Sequence, residues 1–375
     1  MSTTRLNEIH VPNQYDFVGS FLRPAALKIA RHKFSKAEIS AAELNTIEDT
    51  NIIDLIQKQK ELGLKSITDG EFRRSWWHLD FMWGLGGVKK VALDTGYQFH
   101  GIETRAETAC LTGKLDGANH PFVDHFKFVN QYTDETVLAR QTIPAPAQFL
   151  AELQRKENRT VTQEIYQNTE DLITDIAAAY KTVIKDLYNA GCRNIQLDDC
   201  TWGMFCDKKY WEARQDSRIS LTELAELYAK VNNLAISDRP ADLTITTHIC
   251  RGNYHSSWAA SGGYEPIANI LFKENVDAFY LEYDSDRAGD FAPLRFITTQ
   301  KVVLGLITSK TSKLENKNSI KERILEATKY VPLNQLCLSP QCGFASTEEG
   351  NLLTEEQQWN KMKLVKEIAE EVWHG

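Results

Sequence analysis

From residue 42 onward the chain places apolar side chains at helical spacing. Ile47, Ile52, Ile53, Leu55 and Ile56 form the stripe, and Gly63 stops it. A short β-like run over 64–68 follows and ends in Asp69-Gly70-Glu71. The same unit returns further on. An amphipathic stretch spans 171–190, Gly191 interrupts it, and 194–197 reads as a strand ending in Asp198-Asp199. A third helix opens at Leu221 behind the capping signal of Ser220 and Glu223, and Arg239-Pro240 breaks the chain after it. The strand at 243–250 then closes on His248-Ile249-Cys250. Runs at 278–282, 302–308 and 335–339 read as further short strands, with a helix over 320–331 between the last two. Runs at 17–21 and 137–143 bring the strands to eight.

Short apolar strands alternating with helices imply parallel strands covered on the outside. Eight of them predict a closed (β/α)8 TIM barrel rather than an open doubly wound sheet. The unusual polar residues sharpen that expectation, because Ser20, Glu71, Asp198, His248, Cys250, Glu282 and Lys310 all fall at or just beyond the C-terminal end of a strand. Barrel enzymes build their sites at that face. The rhythm breaks over about 75–137, a stretch rich in Trp, Gly and Tyr. We read it as an insertion over the C-terminal face of a single-domain barrel, with a hairpin that merely seals the barrel as the alternative. A last helix over 354–373 is expected to pack outside.

Composition removes several classes of function. Lys plus Arg number 43 against 51 Asp plus Glu, a net charge of −8, and no dense basic run occurs, which argues against a nucleic-acid partner. No apolar stretch reaches 18 residues and the N-terminus lacks a signal pattern, so no membrane partner and a cytoplasmic location are expected. The seven cysteines are an odd count scattered over a long chain, which suits free thiols or metal ligands better than a disulfide scaffold.

Chemistry concentrates at three strand ends. His248 and Cys250 are two residues apart on one strand and so face the same side. Cys342 lies in a turn-rich stretch, Ser339-Pro340-Gln341-Cys342-Gly343, and Glu282 ends an apolar strand. Together they would make a four-coordinate zinc site with soft sulfur ligands, and Asp284 has the parity to replace Glu282. His255 is expected beside that site and not in it.

In order along the chain, Gly19-Ser20-Phe21, Asp69-Gly70-Glu71, Gln196-Leu197-Asp198, the His248/Cys250 pair, Glu282 and Cys342-Gly343 resemble the catalytic barrel of cobalamin-independent methionine synthase. The resemblance covers that barrel alone, since 375 residues cannot hold the second barrel of the larger enzymes. It implies a methyltransferase in which zinc activates homocysteine and a 5-methyltetrahydrofolate-type compound gives the methyl group. Glu71 and Asp198 would hold the amino acid's ammonium, and Ser20 its carboxylate. The chain departs from the family in two places. Lys310 stands where the proton-donating His is expected, and no Trp corresponds to the one that stacks on folate, since Pro144-Ala145-Pro146-Ala147 leads to Gln148 and Phe149. A zinc-dependent alkyltransferase using another thiol or a non-folate donor, and a non-catalytic zinc-binding barrel, are the competing readings. The metal-free porphyrinogen decarboxylase barrel is disfavoured by the His-Cys-Glu-Cys set.

Overall fold

The computed structural model describes residues 11–212 and 219–374. Its first helix, Ala25–Ser35, is followed by the long helix Ala41–Leu62. Ser40 and Glu43 cap that helix reciprocally, and Gly63 ends it in the left-handed conformation at φ 90°. The chain then enters β1 (Ser66–Ile67). Four strands of the intervening segment come next: β2 (Gly86–Ala92), β3 (Gln98–Phe99), β4 (Ile102–Glu103) and β5 (Glu107–Asp116). They pair antiparallel, β2 with β5 and β3 with β4. The remaining strands are β6 (Leu138–Ala139), β7 (Gln141–Pro144), β8 (Asn194–Asp199), β9 (Thr244–Ile249), β10 (Ala278–Glu282), β11 (Lys301–Ile307) and β12 (Leu336–Pro340).

Strands β7 to β12 form one parallel sheet in sequence order, and β1 pairs parallel with β6. Arg140 joins β6 to β7, its N–H donating to the Ile67 carbonyl at 2.9 Å, so β1 continues the wall beyond β7. Residues 14–18 fill the remaining position. Tyr15 bridges Leu338 of β12, and the Asp16 N–H and the Leu338 N–H exchange bonds with Leu338 and Gln14 carbonyls at 2.9 and 2.8 Å. On the other flank Thr68 Oγ1 donates to the Gly19 carbonyl at 2.9 Å, and the Arg140 guanidinium to the Phe17 carbonyl at 2.6 Å. Eight strand positions thus enclose one interior, the (β/α)8 barrel. The inside is partly polar: Arg140 pairs with Asp16 at 3.2 Å, and Tyr280 donates to the same carboxylate at 2.9 Å. These bonds span the barrel and fix the first segment where a continuous ladder does not.

Four expected elements differ. The run at 137–143 breaks at Arg140 into β6, which pairs with β1, and β7, which pairs with β8. The strand at 17–21 is a single bridge at Tyr15, because after Val18 the chain turns to the β1 loop, with Phe21 N–H on the Gly70 carbonyl at 3.2 Å. The strand at 64–68 shortens to two residues, since the Gln59 side chain takes over the Thr68 backbone, accepting from its N–H at 3.0 Å and donating to its carbonyl at 2.9 Å. The helix expected over 320–331 begins three residues earlier, at Lys317, where Asn316 caps it, and ends at Ala327. The helix Glu355–Trp373 starts behind its Thr354 cap and packs against β12.

Candidate metal centre and substrate cavity

The side chains of His248, Cys250, Glu282 and Cys342 are all buried, and their ligand atoms lie within 4.8 Å of one another. Three local features bring them together. His248 sits near the end of β9 and Cys250 one residue past it, where its N–H donates to the Asp199 carbonyl of β8 at 2.9 Å. Glu282 is the last residue of β10. Cys342 follows β12 on a loop held against the Ser20 segment: the Phe344 N–H donates to the Ser20 carbonyl at 2.9 Å and the Ala345 N–H to Ser20 Oγ at 3.3 Å.

The four residues fit a metal ion. The two sulfurs are 3.8 Å apart, which matches the roughly 3.8 Å edge of a tetrahedron built on Zn–S bonds of about 2.3 Å. Both ring nitrogens of His248 are buried without a hydrogen-bond partner, a costly arrangement for an imidazole that meets nothing. Glu282 is oriented from behind, with Oε1 accepting from the Arg251 N–H at 2.9 Å and Oε2 paired with Arg287 at 2.8 Å. The Gly252 N–H donates to Cys250 Sγ at 3.3 Å, a contact that favours a thiolate there. Asp284 is not in the group; it pairs with Arg287 at 3.0 Å. His255 stacks edge-on against Tyr254 and is also outside it.

This cluster is at the wall of a cavity of about 1210 Å³. Ser20, Glu71 and Asp198 line the same space, as do Trp76, Trp77, His78, Tyr97 and Trp258. Glu71 Oε1 accepts from Thr142 Oγ1 at 3.1 Å and faces Arg74 at 3.4 Å, whereas Oε2 is buried without a partner. Burial raises the Glu71 pKa, and Arg74 and Arg23 offset part of that. Burial raises Asp198 well above the usual carboxylate range, and the nearby Glu71 adds to it. The two carboxyls are thus buried close together, with Arg74, Arg23 and Arg140 offsetting part of the cost. Gln196 orients Asp198, its Nε2 donating to Oδ1 at 2.8 Å.

Lys310 is placed differently from the other strand-end residues. It is buried and donates to Asn253 Oδ1 at 3.2 Å, so that Asn253, not Lys310, forms the cavity wall at that point. Asn253 itself ties three loops together: its Nδ2 donates to the Gly343 carbonyl at 2.7 Å, and its Oδ1 accepts from Asn351 at 2.9 Å. Sequence reasoning missed Asn253, Arg287 and His78. Asn253 stands three residues past Cys250 in a turn, and His78 ends a Trp-Trp-His run within the interrupting segment, which are the signals that were available.

The chain is similar to known proteins along nearly its whole length. The family model described as "Cobalamin-independent synthase, Catalytic domain" matches residues 16–370. The uncharacterized protein YxjH of Bacillus subtilis (strain 168) is 48% identical over 365 residues, covering 96% of this chain and 95% of its own length. A crystal structure of a putative vitamin-B12 independent methionine synthase from Listeria monocytogenes superposes with a TM-score of 0.76 at 42% identity, covering 96% of this chain and 98% of that one. A B12-independent methionine synthase from Shewanella sp. W3-18-1 shares the fold, with a TM-score of 0.70 at 20% identity, covering 96% of this chain and 97% of that one. The chain therefore belongs to the family of cobalamin-independent methionine synthase catalytic domains and is a methyltransferase of that family.

Proposed function

We propose that the protein methylates the thiol of homocysteine, using zinc held by His248, Cys250, Glu282 and Cys342 and a 5-methyltetrahydrofolate-type methyl donor. One observation carries this reading: three members of a four-residue group able to hold a metal, His248, Cys250 and Cys342, line the same cavity as two buried carboxyls, Glu71 and Asp198. A thiol near pKa 8.5 is mostly protonated at neutral pH and attacks a methyl group poorly. Zinc, when bound, supplies the positive charge that keeps the substrate sulfur as a thiolate.

Glu71, whose Oε2 is buried without a partner, and Asp198 would take the substrate ammonium. Ser20, with the backbone beside it, would meet the carboxylate at the other end of the amino acid. The donor would enter from the open side, between the aromatic residues of the interrupting segment. Lys156, Arg159 and Lys209 line that side and suit an anionic tail. After methyl transfer the donor nitrogen needs a proton. Lys310 is the proposed source, its long side chain leaving Asn253 to reach it. A reducing, cytoplasmic setting belongs to the same reading, because both cysteine ligands must stay unoxidised.

The test is methionine formation by zinc-loaded protein from homocysteine and 5-methyltetrahydrofolate, with S-adenosylmethionine offered separately. Methionine from the folate supports the reading. Turnover with the sulfonium alone, or with a different thiol alone, replaces the donor or the acceptor.

A further inference from the structure

His78 belongs to no motif of the reaction described so far, yet it occupies a tightly specified place in the cavity wall. Its ring lies 4.5 Å from Trp77, 5.8 Å from Trp76 and 5.5 Å from Tyr97, centroid to centroid, so three aromatic side chains fix its plane. Its Nε2 is 3.2 Å from Tyr97 Oη. Tyr97 in turn donates its only proton to Glu152 Oε2 at 2.9 Å. Glu152 is buried, and its other oxygen accepts from Thr108 Oγ1. Arg155 lies 4.3 Å over the Tyr97 ring and pairs with Glu152 at 3.4 Å.

These contacts determine the imidazole tautomer. Because the Tyr97 proton is committed to a carboxylate, Tyr97 can only accept from His78, and Nε2 must carry the hydrogen. Nδ1 is then a bare acceptor, and it is buried without a partner in the protein. Burial holds the His78 pKa down to about 3, so the ring is neutral under ordinary conditions. A buried acceptor of this kind costs free energy until a donor reaches it, and the residue that carries it borders the cavity.

We infer that His78 is a positioning residue for the methyl donor, its Nδ1 accepting a hydrogen bond from a ring N–H of a flat N-methylated heterocycle held among Trp76, Trp77 and Tyr97. The inference rests on the donor reading given above. It also supplies what the end of β7 lacks, since no aromatic residue stands in Pro144-Ala145-Pro146-Ala147 to stack on such a ring. The chain places its donor-facing aromatics on the interrupting segment instead, and Glu152–Tyr97–His78 anchors that segment to the helix Pro146–Leu153.

The experiment measures binding of 5-methyltetrahydrofolate and, separately, of homocysteine to zinc-loaded protein by calorimetry, with zinc content determined in parallel. His78→Phe should weaken folate binding by about tenfold, the range of one hydrogen bond. Homocysteine affinity and zinc content should be unchanged. His78→Asn, whose Oδ1 occupies the place of Nδ1, should restore binding to within about threefold of wild type, a rescue that a purely structural role would not give. Tyr97→Phe, which releases the ring, should fall between them. If His78→Phe does not fold, His78→Gln keeps the contact to Tyr97, deletes the Nδ1 acceptor and should show the same loss. Wild-type folate affinity in His78→Phe or His78→Gln, or no rescue by His78→Asn, overturns the inference. Wild-type protein that binds homocysteine but not 5-methyltetrahydrofolate overturns the donor reading itself, an outcome visible before any variant is made.

Discussion

Gly203 lies on the short helix Thr201–Cys206, against the backbone of Cys250 and Arg251, and its replacement by alanine separates local helix preference from the geometry of the site. In an exposed helix Gly→Ala stabilises by about 1 kcal/mol. Here an added Cβ would stand 2.1 Å from the Cys250 carbonyl oxygen, 3.1 Å from its carbon and 3.2 Å from the Arg251 Cα. Ordinary C···O contacts begin at roughly 3.3 Å, so the peptide after Cys250 must retreat by about 1 Å. That peptide is pinned on both sides: Cys250 N–H bonds the Asp199 carbonyl at 2.9 Å, and Arg251 N–H bonds Glu282 Oε1 at 2.9 Å. Movement therefore reaches two of the four metal-site residues, and metal sites tolerate about 0.2 Å. Overpacking of this kind costs about 1–3 kcal/mol, which exceeds the helix gain. Gly203→Ala should thus lose up to about 2 kcal/mol in urea unfolding of the metal-free protein and at least about tenfold in zinc affinity by chelator competition. Gly113→Ala, with nothing within 4 Å of the new methyl, is the control and should change neither. A Gly203→Ala protein that is more stable than wild type, or that keeps full zinc affinity, would mean that the close approach to Cys250 does not govern the site.

Cys250→Ser, Cys342→Ser and His248→Ala should each abolish stoichiometric zinc in the purified protein, whereas Cys206→Ser and Cys337→Ser, buried outside the cluster, should retain it; full zinc in both Cys250→Ser and Cys342→Ser would mean that the site is elsewhere. Asp198→Asn should weaken homocysteine binding by roughly a hundredfold, as expected when one partner of a buried charge pair is lost. Because the native pKa of Asp198 is raised, the stability its carboxyl contributes is present below its unfolded pKa and is lost as pH rises through the native value. Asp198→Asn should therefore stabilise the ligand-free protein more at pH 8 than at pH 4, and equal effects at both would contradict that assignment. Lys310→Ala should lower kcat with 5-methyltetrahydrofolate while leaving homocysteine affinity intact; an unchanged kcat and pH profile would remove Lys310 from the reaction.

The repeating helix and strand were legible because each carries a local signal: the Ser220 capping box, the apolar stripe and Gly63 stop of the first long helix, and the apolar runs that became β8 to β12. The first barrel position was less so, since residues 14–18 are held by Arg140, Asp16 and Tyr280 from across the interior, and such contacts leave no trace in a local pattern. The metal cluster was readable because His248 and Cys250 obey strand parity and the others stand at strand ends. What the sequence hid is how Lys310 sits behind Asn253, which depends on the packing of three loops, and how Glu152 and Tyr97 fix His78 from 74 and 19 residues away.

The cluster at His248, Cys250, Glu282 and Cys342 is proposed to hold zinc and present it to the substrate sulfur. X-ray absorption at the zinc edge of the loaded protein, with and without homocysteine, measures that directly. Two sulfur neighbours are expected in the free enzyme and three with homocysteine bound, and a sulfur count that stays at two while homocysteine is bound would mean that the substrate thiol does not reach the zinc.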